Sequence, residues 1–336
     1  MNNSTYHFIR PEIVADLSAE DFFSRAEGEP TRASYARTML ELGEKNTQLV
    51  VLDADVSKSI GTNKFAEKFP DRSFNFGIAE QNMFAAAAGM ATSGLIPFAS
   101  TYAVFASMRA LDMVRNSIHY PFLNVKIAAS HSGITPGPDG VTHQGQEDLS
   151  IIRAIANSTV IAPADPTTTK MAVIAAAEYN GPVYLSFTRD PVPNIFTEAY
   201  PFEIGKAVTV RTGSDVTIIS LRDMTAHALV AAEMLSSKGI EARVVDCHTL
   251  KPLDVEMVLQ AAAETGAIVT AENNVIFGGL GSAVAEVLVE NLPIPMKRIG
   301  VNDTFAESGP YLDLLDKYGL SAKHIAVAAE DVIKRK

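Results

Sequence analysis

From about residue 31 onward, short apolar runs alternate with longer small-residue or amphipathic stretches. The pattern predicts a helix over Ala33 to Gly43, ended by its glycine, and an apolar strand with a polar end over Gln48 to Asp53. A buried helix follows at Ala79 to Ser93, then a strand at Leu95 to Phe98, a helix from about Tyr102 to Ile118 and a strand at Asn124 to Ala129. After the glycine-rich loop Gly133 to Gly145 come a helix at Asp148 to Ile155, a strand at Thr159 to Ala162, a helix at Pro166 to Glu178 and a strand at Val183 to Phe187. The segment Arg189 to Asn194 carries two prolines, which cannot donate to a sheet ladder, and reads as a break. A second unit has strands at Val216 to Ser220, Ala242 to Asp246, Ala267 to Ala271 and Met296 to Ile299. Its helices fall at Thr225 to Ser236, Val255 to Glu264, Leu280 to Asn291 and Tyr311 to Tyr318. This spacing implies two consecutive α/β domains with mostly parallel sheets. Their expected bounds are 30–192 and 205–336, after an extension over 1–29 with weak periodicity and a short helix near Ala19 to Ala26.

Composition narrows the class. Of 336 residues, 47% are hydrophobic and 20% charged, which suits a globular protein with a sizeable core, and the formal net charge is -11. So acidic a chain is a poor general binder of nucleic acid or anionic membrane. The single cysteine, Cys247, cannot form an internal disulfide and argues for a reducing compartment; it reads as a buried thiol at a strand end. No apolar run is long enough to span a bilayer and no signal segment opens the chain, so the expected location is the cytoplasm.

In open parallel sheets ligands gather at the carboxyl ends of the strands. Five sets of polar residues fall there: Asp53, Asp55 and Ser59; Ser100 and Thr101; Ser130 and His131; Asp139, Thr142 and His143; Thr188 and Arg189. The densest run is His131 to Gln144. Its two histidines and aspartate could suggest a metal, but the spacing lacks the tight cysteine or carboxylate–histidine pattern of a metal site. Histidines that hydrogen-bond substrate hydroxyls and shuttle protons fit the loop better. Glu80, opening an Ala- and Gly-rich helix, reads first as a helix-start acid favourable to the dipole. The alternative is a functional carboxylate, which at a buried helix start needs a specific partner.

Three runs together resemble the transketolase family: Phe74-Asn75-Phe76-Gly77-Ile78-Ala79-Glu80-Gln81-Asn82-Met83, Ser100-Thr101-Tyr102-Ala103-Val104-Phe105, and Asp139-Gly140-Val141-Thr142-His143-Gln144. Pro163-Ala164-Asp165, Gly181-Pro182-Val183-Tyr184, Arg189, Lys251-Pro252-Leu253-Asp254 and Gly278-Gly279-Leu280-Gly281-Ser282 extend the resemblance from about Thr31 to the C-terminus. It implies a thiamine diphosphate pyrimidine-binding domain followed by a transketolase C-terminal domain. By the resemblance, Glu80 hydrogen-bonds the ring nitrogen of the aminopyrimidine, while Phe105 packs on that ring with Tyr102 nearby. His143 and Asp139 meet sugar hydroxyls near the reacting carbons, and His131, Ser59 and Arg189 surround the sugar phosphate. The sequence departs from the family at Thr31, where an arginine is usual and Arg32 is the adjacent candidate, and at Asn273-Asn274, where acidic or histidine residues are common.

Full-length relatives carry an earlier domain with a Gly-Asp-Gly start that holds the diphosphate and metal, and no such start occurs in this chain. The resemblance therefore implies a partner, an N-terminal transketolase subunit supplying the Mg²⁺ ligands in an α2β2-type assembly. The implied reaction moves a two-carbon ketol unit from a ketose phosphate to an aldose phosphate. Rival readings are half of a deoxyxylulose-phosphate synthase-like or 2-oxo acid dehydrogenase β-like thiamine enzyme, a transketolase specialised for apulose phosphate or a sulfo-sugar, or a non-catalytic binding protein on an orphaned domain.

Overall fold

The computed structural model describes residues 5–336, and its strands form two main sheets. One has seven strands in the order Thr249–Lys251, Thr159–Ile161, Val183–Ser186, Lys126–Ser130, Ile96–Tyr102, Leu49–Asp53 and Ser73–Asn75. All neighbours are parallel except Thr249–Lys251, which runs antiparallel to Thr159–Ile161. The other has five, in the order Met296–Val301, Ile268–Val275, Val216–Ser220, Ala242–Asp246 and Val208–Arg211, parallel apart from the last pair. The chain thus has the α/β fold its pattern implied.

The central strands are apolar runs because helices cover both faces. Along Leu49–Asp53, Val50 and Leu52 point into one core with Met83, Phe84 and Ala87 of the helix Glu80–Thr92. Leu49 and Val51 point into the other, with Tyr35 and Met39 of the helix Thr31–Lys45 and Val173 of Pro166–Glu178. The two-residue period of a strand makes that division. Cys247 lies buried just beyond the strand Ala242–Asp246, its thiol donating to the Thr249 carbonyl at 3.3 Å.

Several expectations need correction. The Thr31–Lys45 helix runs through Gly43 instead of ending there. A Cβ on Gly43 would come within 2.5 Å of the Phe65 ring and 2.7 Å of the Phe69 ring, so this glycine serves close packing. The helix expected from Tyr102 begins later. Hydrogen bonding with Lys126–Ser130 holds the chain extended through Tyr102, which pairs with Ser130. Beyond it, π turns at Phe105–Arg109 and Val114–His119 flank the short helix Leu111–Met113. The N-terminal extension holds two short helices, Pro11–Asp16 and Phe22–Arg25, in place of one. Ile13 and Phe22 of these helices, and Leu17 at the end of the first, enter the second unit's core beside Val210 and Leu229. The reading also passed over the helix Ala322–Ile333, whose Ile325, Ala329 and Val332 fill that same core.

The two units share structure. Thr249–Lys251 lies far along the chain, within the second unit, yet it completes an edge of the first sheet. Pairing that edge removes an exposed row of backbone donors and acceptors.

Gly43→Ala separates intrinsic propensity from packing. Helix propensity favours alanine by about 1 kcal/mol, whereas overpacking costs about 1–3 kcal/mol. We expect net destabilisation of about 1 kcal/mol in urea unfolding; a gain in stability would show that the two rings yield without cost.

Candidate active site

Three strand ends of the first sheet deliver the site. Ile96–Tyr102 ends in Tyr102, Lys126–Ser130 ends beside His131, and the short helix Ser57–Ile60 that follows Leu49–Asp53 carries Ser59. Tyr102 is the hub. Its hydroxyl donates to Ser59 Oγ at 2.9 Å, and its ring stacks on His131 with centroids 3.9 Å apart. It also meets Phe105 at 5.7 Å and His143, edge-on, at 5.8 Å. Phe105 and His143 are themselves 5.8 Å apart.

Glu80 starts its helix only 2% exposed. Arg109 Nη1 donates to its two carboxylate oxygens at 3.1 and 3.2 Å. The same guanidinium lies over the Phe105 ring, 4.2 Å from its centroid. The π turn Phe105–Arg109 helps to place the two side chains together, and such insertions often mark functional sites. Burying a carboxylate demands a counterion, and Arg109 supplies one. A carboxylate beside an aromatic face therefore already accommodates a flat, cationic, N–H-bearing group. An aminopyrimidine protonated on its ring nitrogen has that character, so these residues fit thiamine's pyrimidine.

At the other end, Arg189 Nε stands 3.3 Å from Asp139 Oδ2 and its Nη1 2.8 Å from Asp190 Oδ1. Arg32 Nε donates to the Arg189 carbonyl at 3.3 Å. Burial, and the nearby Arg189 cation, push the Arg32 guanidinium below its usual range. Thr31, at the position where the resemblance implies an arginine, is buried in a clasp with Thr188: its backbone N–H donates to Thr188 Oγ1 at 3.1 Å, and its own Oγ1 accepts from the Thr188 N–H at 2.8 Å. A side chain locked there cannot reach the site; Arg32 beside it can.

All eight residues named from the sequence thus fall in one region: Glu80, Tyr102 and Phe105; His131 and His143; Ser59, Asp139 and Arg189. Asp53, from the wider strand-end set, does not join them. It is buried and accepts from the Val56 N–H and the Thr62 hydroxyl, so it shapes the turn. Among the described residues, no group of three or more His, Cys, Asp or Glu side chains is placed to hold a metal ion.

Residues 28–194 match the family described as transketolase, pyrimidine binding domain, and residues 205–325 the one described as transketolase, C-terminal domain. A putative transketolase C-terminal section from Methanocaldococcus jannaschii is 47% identical over 307 residues, covering 90% of this chain and 96% of that protein. The chain belongs to the transketolase family. A 6-deoxy-6-sulfo-D-fructose transketolase subunit from a Clostridium species is 44% identical, with 91% of this chain and 95% of that one covered. Among solved structures, a split-gene transketolase described as an inactive β4 tetramer superposes with a TM-score of 0.85 at 50% identity. That match covers 92% of this chain and 100% of the other. Among the described residues, no helix of this transketolase-family chain is long and apolar enough to cross a membrane.

Arg109 is the site residue that the sequence did not single out. Arg109 had a faint signal, a base four residues past Phe105, but nothing in the sequence tied it to Glu80. Ser130 Oγ and Thr142 Oγ1 each lie 3.0 Å from Nδ1 of the histidine that follows, orienting His131 and His143. His131 itself adopts φ +67, a backbone state that a non-glycine residue seldom holds outside a constrained site.

Burial, together with the cations of Arg32 and Arg189 and with His143, pushes the His131 imidazole down to about 3. His131 is therefore neutral near pH 7 and works there as a hydrogen-bonding group. Because its folded value lies below the unfolded one of about 6.5, the unfolded chain binds the proton first. Stability is thus lost as pH falls from about 6.5 toward 3. In His131→Asn the loss between pH 7 and pH 5 should be smaller by about 1–2 kcal/mol, read by urea unfolding at each pH. An unchanged slope would mean that His131 takes up its proton in the folded chain.

Proposed function

We propose that this chain is the C-terminal subunit of a thiamine diphosphate-dependent transketolase. It would move a two-carbon ketol unit from a ketose phosphate to an aldose phosphate, and act only with a partner that holds the diphosphate and Mg²⁺. The observation that carries this reading is the buried Glu80 carboxylate, set with Phe105 around one planar cation. That pair suits the aminopyrimidine end of the cofactor. The match to a pyrimidine-binding domain supports it. So does the solved relative's description as an inactive β4 tetramer, which accords with a chain that needs a second kind of subunit in an α2β2-type assembly.

When bound, thiamine diphosphate supplies the centre that stabilises carbanionic charge and carries the two-carbon unit. The chain's own residues do the rest. Glu80 accepts a hydrogen bond from the protonated pyrimidine nitrogen and so holds a proton there, while Phe105 packs on the ring. Ser130 and Thr142 occupy the Nδ1 atoms of His131 and His143, leaving Nε2 of each ring for sugar oxygens. His143, half-buried and nearest Phe105, is the better placed to move a proton; neutral His131 orients the sugar. Asp139 contacts hydroxyls. Ser59, Arg189 and Arg32 receive the terminal anionic group, for which two guanidiniums side by side are suited. The relative named for 6-deoxy-6-sulfo-D-fructose indicates that this family half also serves sugars ending in a sulfonate, and the Arg32–Arg189 pair would accept either anion.

Glu80→Gln tests the proposal in the assembled two-subunit complex. It should leave the fold and most cofactor affinity intact yet slow exchange of the bound cofactor's C2 proton for deuterium by roughly a hundredfold or more, followed by quench and NMR. Parent-like exchange would reduce Glu80 to a helix-start acid. Arg189→Ala should raise KM for a phosphorylated donor by a factor matching about 1.5–3 kcal/mol and barely affect an unphosphorylated one. Equal effects on the two donors would place Arg189 away from the anion.

A further inference from the structure

Asn273 and Asn274 stand at the end of the second unit's strand Ile268–Val275, where its register against Met296–Val301 shifts. Bulges of this kind re-aim side chains, and these two point across the domain boundary. Asn273 Oδ1 accepts from the Ile134 N–H at 3.1 Å. Asn274 Nδ2 donates to the carbonyls of Gly145 at 3.2 Å and Gln146 at 3.1 Å, and to Asp148 Oδ1 at 2.7 Å. The Val275 N–H adds a bond to the Gln146 carbonyl at 2.8 Å. Ile134 and Gly145–Gln146 form the neck of the loop that carries Asp139 and His143. The neck closes on itself through Gly133 N–H to the Gly145 carbonyl at 2.8 Å and Gly145 N–H to the His131 carbonyl at 3.3 Å.

Behind the asparagines stands Arg222. It bonds the Asn273 carbonyl at 2.7 Å, Asn274 Oδ1 at 3.0 Å, Ser186 Oγ at 2.7 Å and Asp223 Oδ1 at 2.9 Å. Arg222, Asn273 and Asn274 are fully buried. The fit leaves no slack, since a Cβ on Gly133 would fall 2.0 Å from the Asn273 carbonyl oxygen. Mere adhesion between domains would not require both sides of one loop neck to be met by adjacent side chains.

We propose that Asn273 and Asn274 are positioning residues for the sugar. They clamp the neck of the 134–146 loop so that His143 and Asp139 are held in a substrate-ready arrangement, and the second domain thereby helps set substrate geometry without touching substrate. The proposal rests on the transketolase reading for its functional half, while its structural half stands apart from that reading.

The test uses the full chain, alone and in its two-subunit complex. In Asn274→Ala, native-state hydrogen exchange should quicken about tenfold at the Gly133 and Gly145 amides, with amides of Leu49–Asp53 unchanged. In Asn273→Ala the Ile134 amide should respond most. In the complex, kcat/KM for the sugar donor should fall about tenfold while C2-proton exchange stays at the parent rate, because the Glu80 region is untouched. Exchange that rises by one factor throughout the chain, or does not rise at the neck, overturns the proposal and leaves the asparagines as domain glue. Should Asn274→Ala fail to fold, Asn273→Ala decides by the same criteria. A parent complex with no ketol transfer would overturn the function proposed above, and loop exchange would then decide the clamp by itself.

Discussion

A guanidinium removed from water has to be met by oxygen on every side, and Arg222 meets that condition only where the two domains join. Four partners from both units surround it: Ser186 at the end of a first-sheet strand, its neighbour Asp223, and the two asparagines. Asp148, coupled to it through space, bonds Ser132, Tyr184 and Asn274. Tyr311 closes the far side on Asp223. Unpaired, such a charge would cost several kcal/mol. The network is therefore satisfied as a unit, and it holds the domains in one relation. The strand Thr249–Lys251, lent to the first sheet, enforces the same relation through the backbone.

From that fixed frame the site follows. Strand ends of one parallel sheet bring Tyr102, His131 and Ser59 together, and the tyrosine ring then serves as a floor on which both histidines and Phe105 are arranged. At one end the requirement is to accommodate a buried carboxylate, met by Arg109. At the other it is to hold two arginines close together, met in part by Asp139 and Asp190. The electrostatics differ accordingly: a buried carboxylate facing a flat guanidinium at one end, and two guanidiniums flanked by carboxylates at the other.

Much of this was legible in the residues. Apolar runs fixed the strands Leu49–Asp53 and Val216–Ser220, and the runs around Glu80, Tyr102–Phe105 and Asp139–His143 named residues that the fold brings together. Legibility failed where a local pattern had two physical uses. Gly43 looks like a helix terminator in one dimension, whereas in space it makes room for two aromatic rings. Tyr102 looks helical beside Phe105, but ladder bonds to Ser130 keep it extended. Thr249–Lys251 is too short to announce itself as a strand, and its partner lies about ninety residues earlier in the chain.

The sequence by itself determined the α/β class and the family, and it named the candidate site residues, because those depend on residue types and short-range spacing. Only the tertiary structure decided which neighbour each charged or polar group would have. It gave Glu80 its counterion in Arg109, locked Thr31 against Thr188 and freed Arg32 for the site, kept His131 neutral, and turned Asn273 and Asn274 onto the loop of the other domain. The side-chain bonds among them join residues from 29 to 157 positions apart. They are set by the need to satisfy every buried polar group at once, a condition that exists only when the whole chain has closed around them.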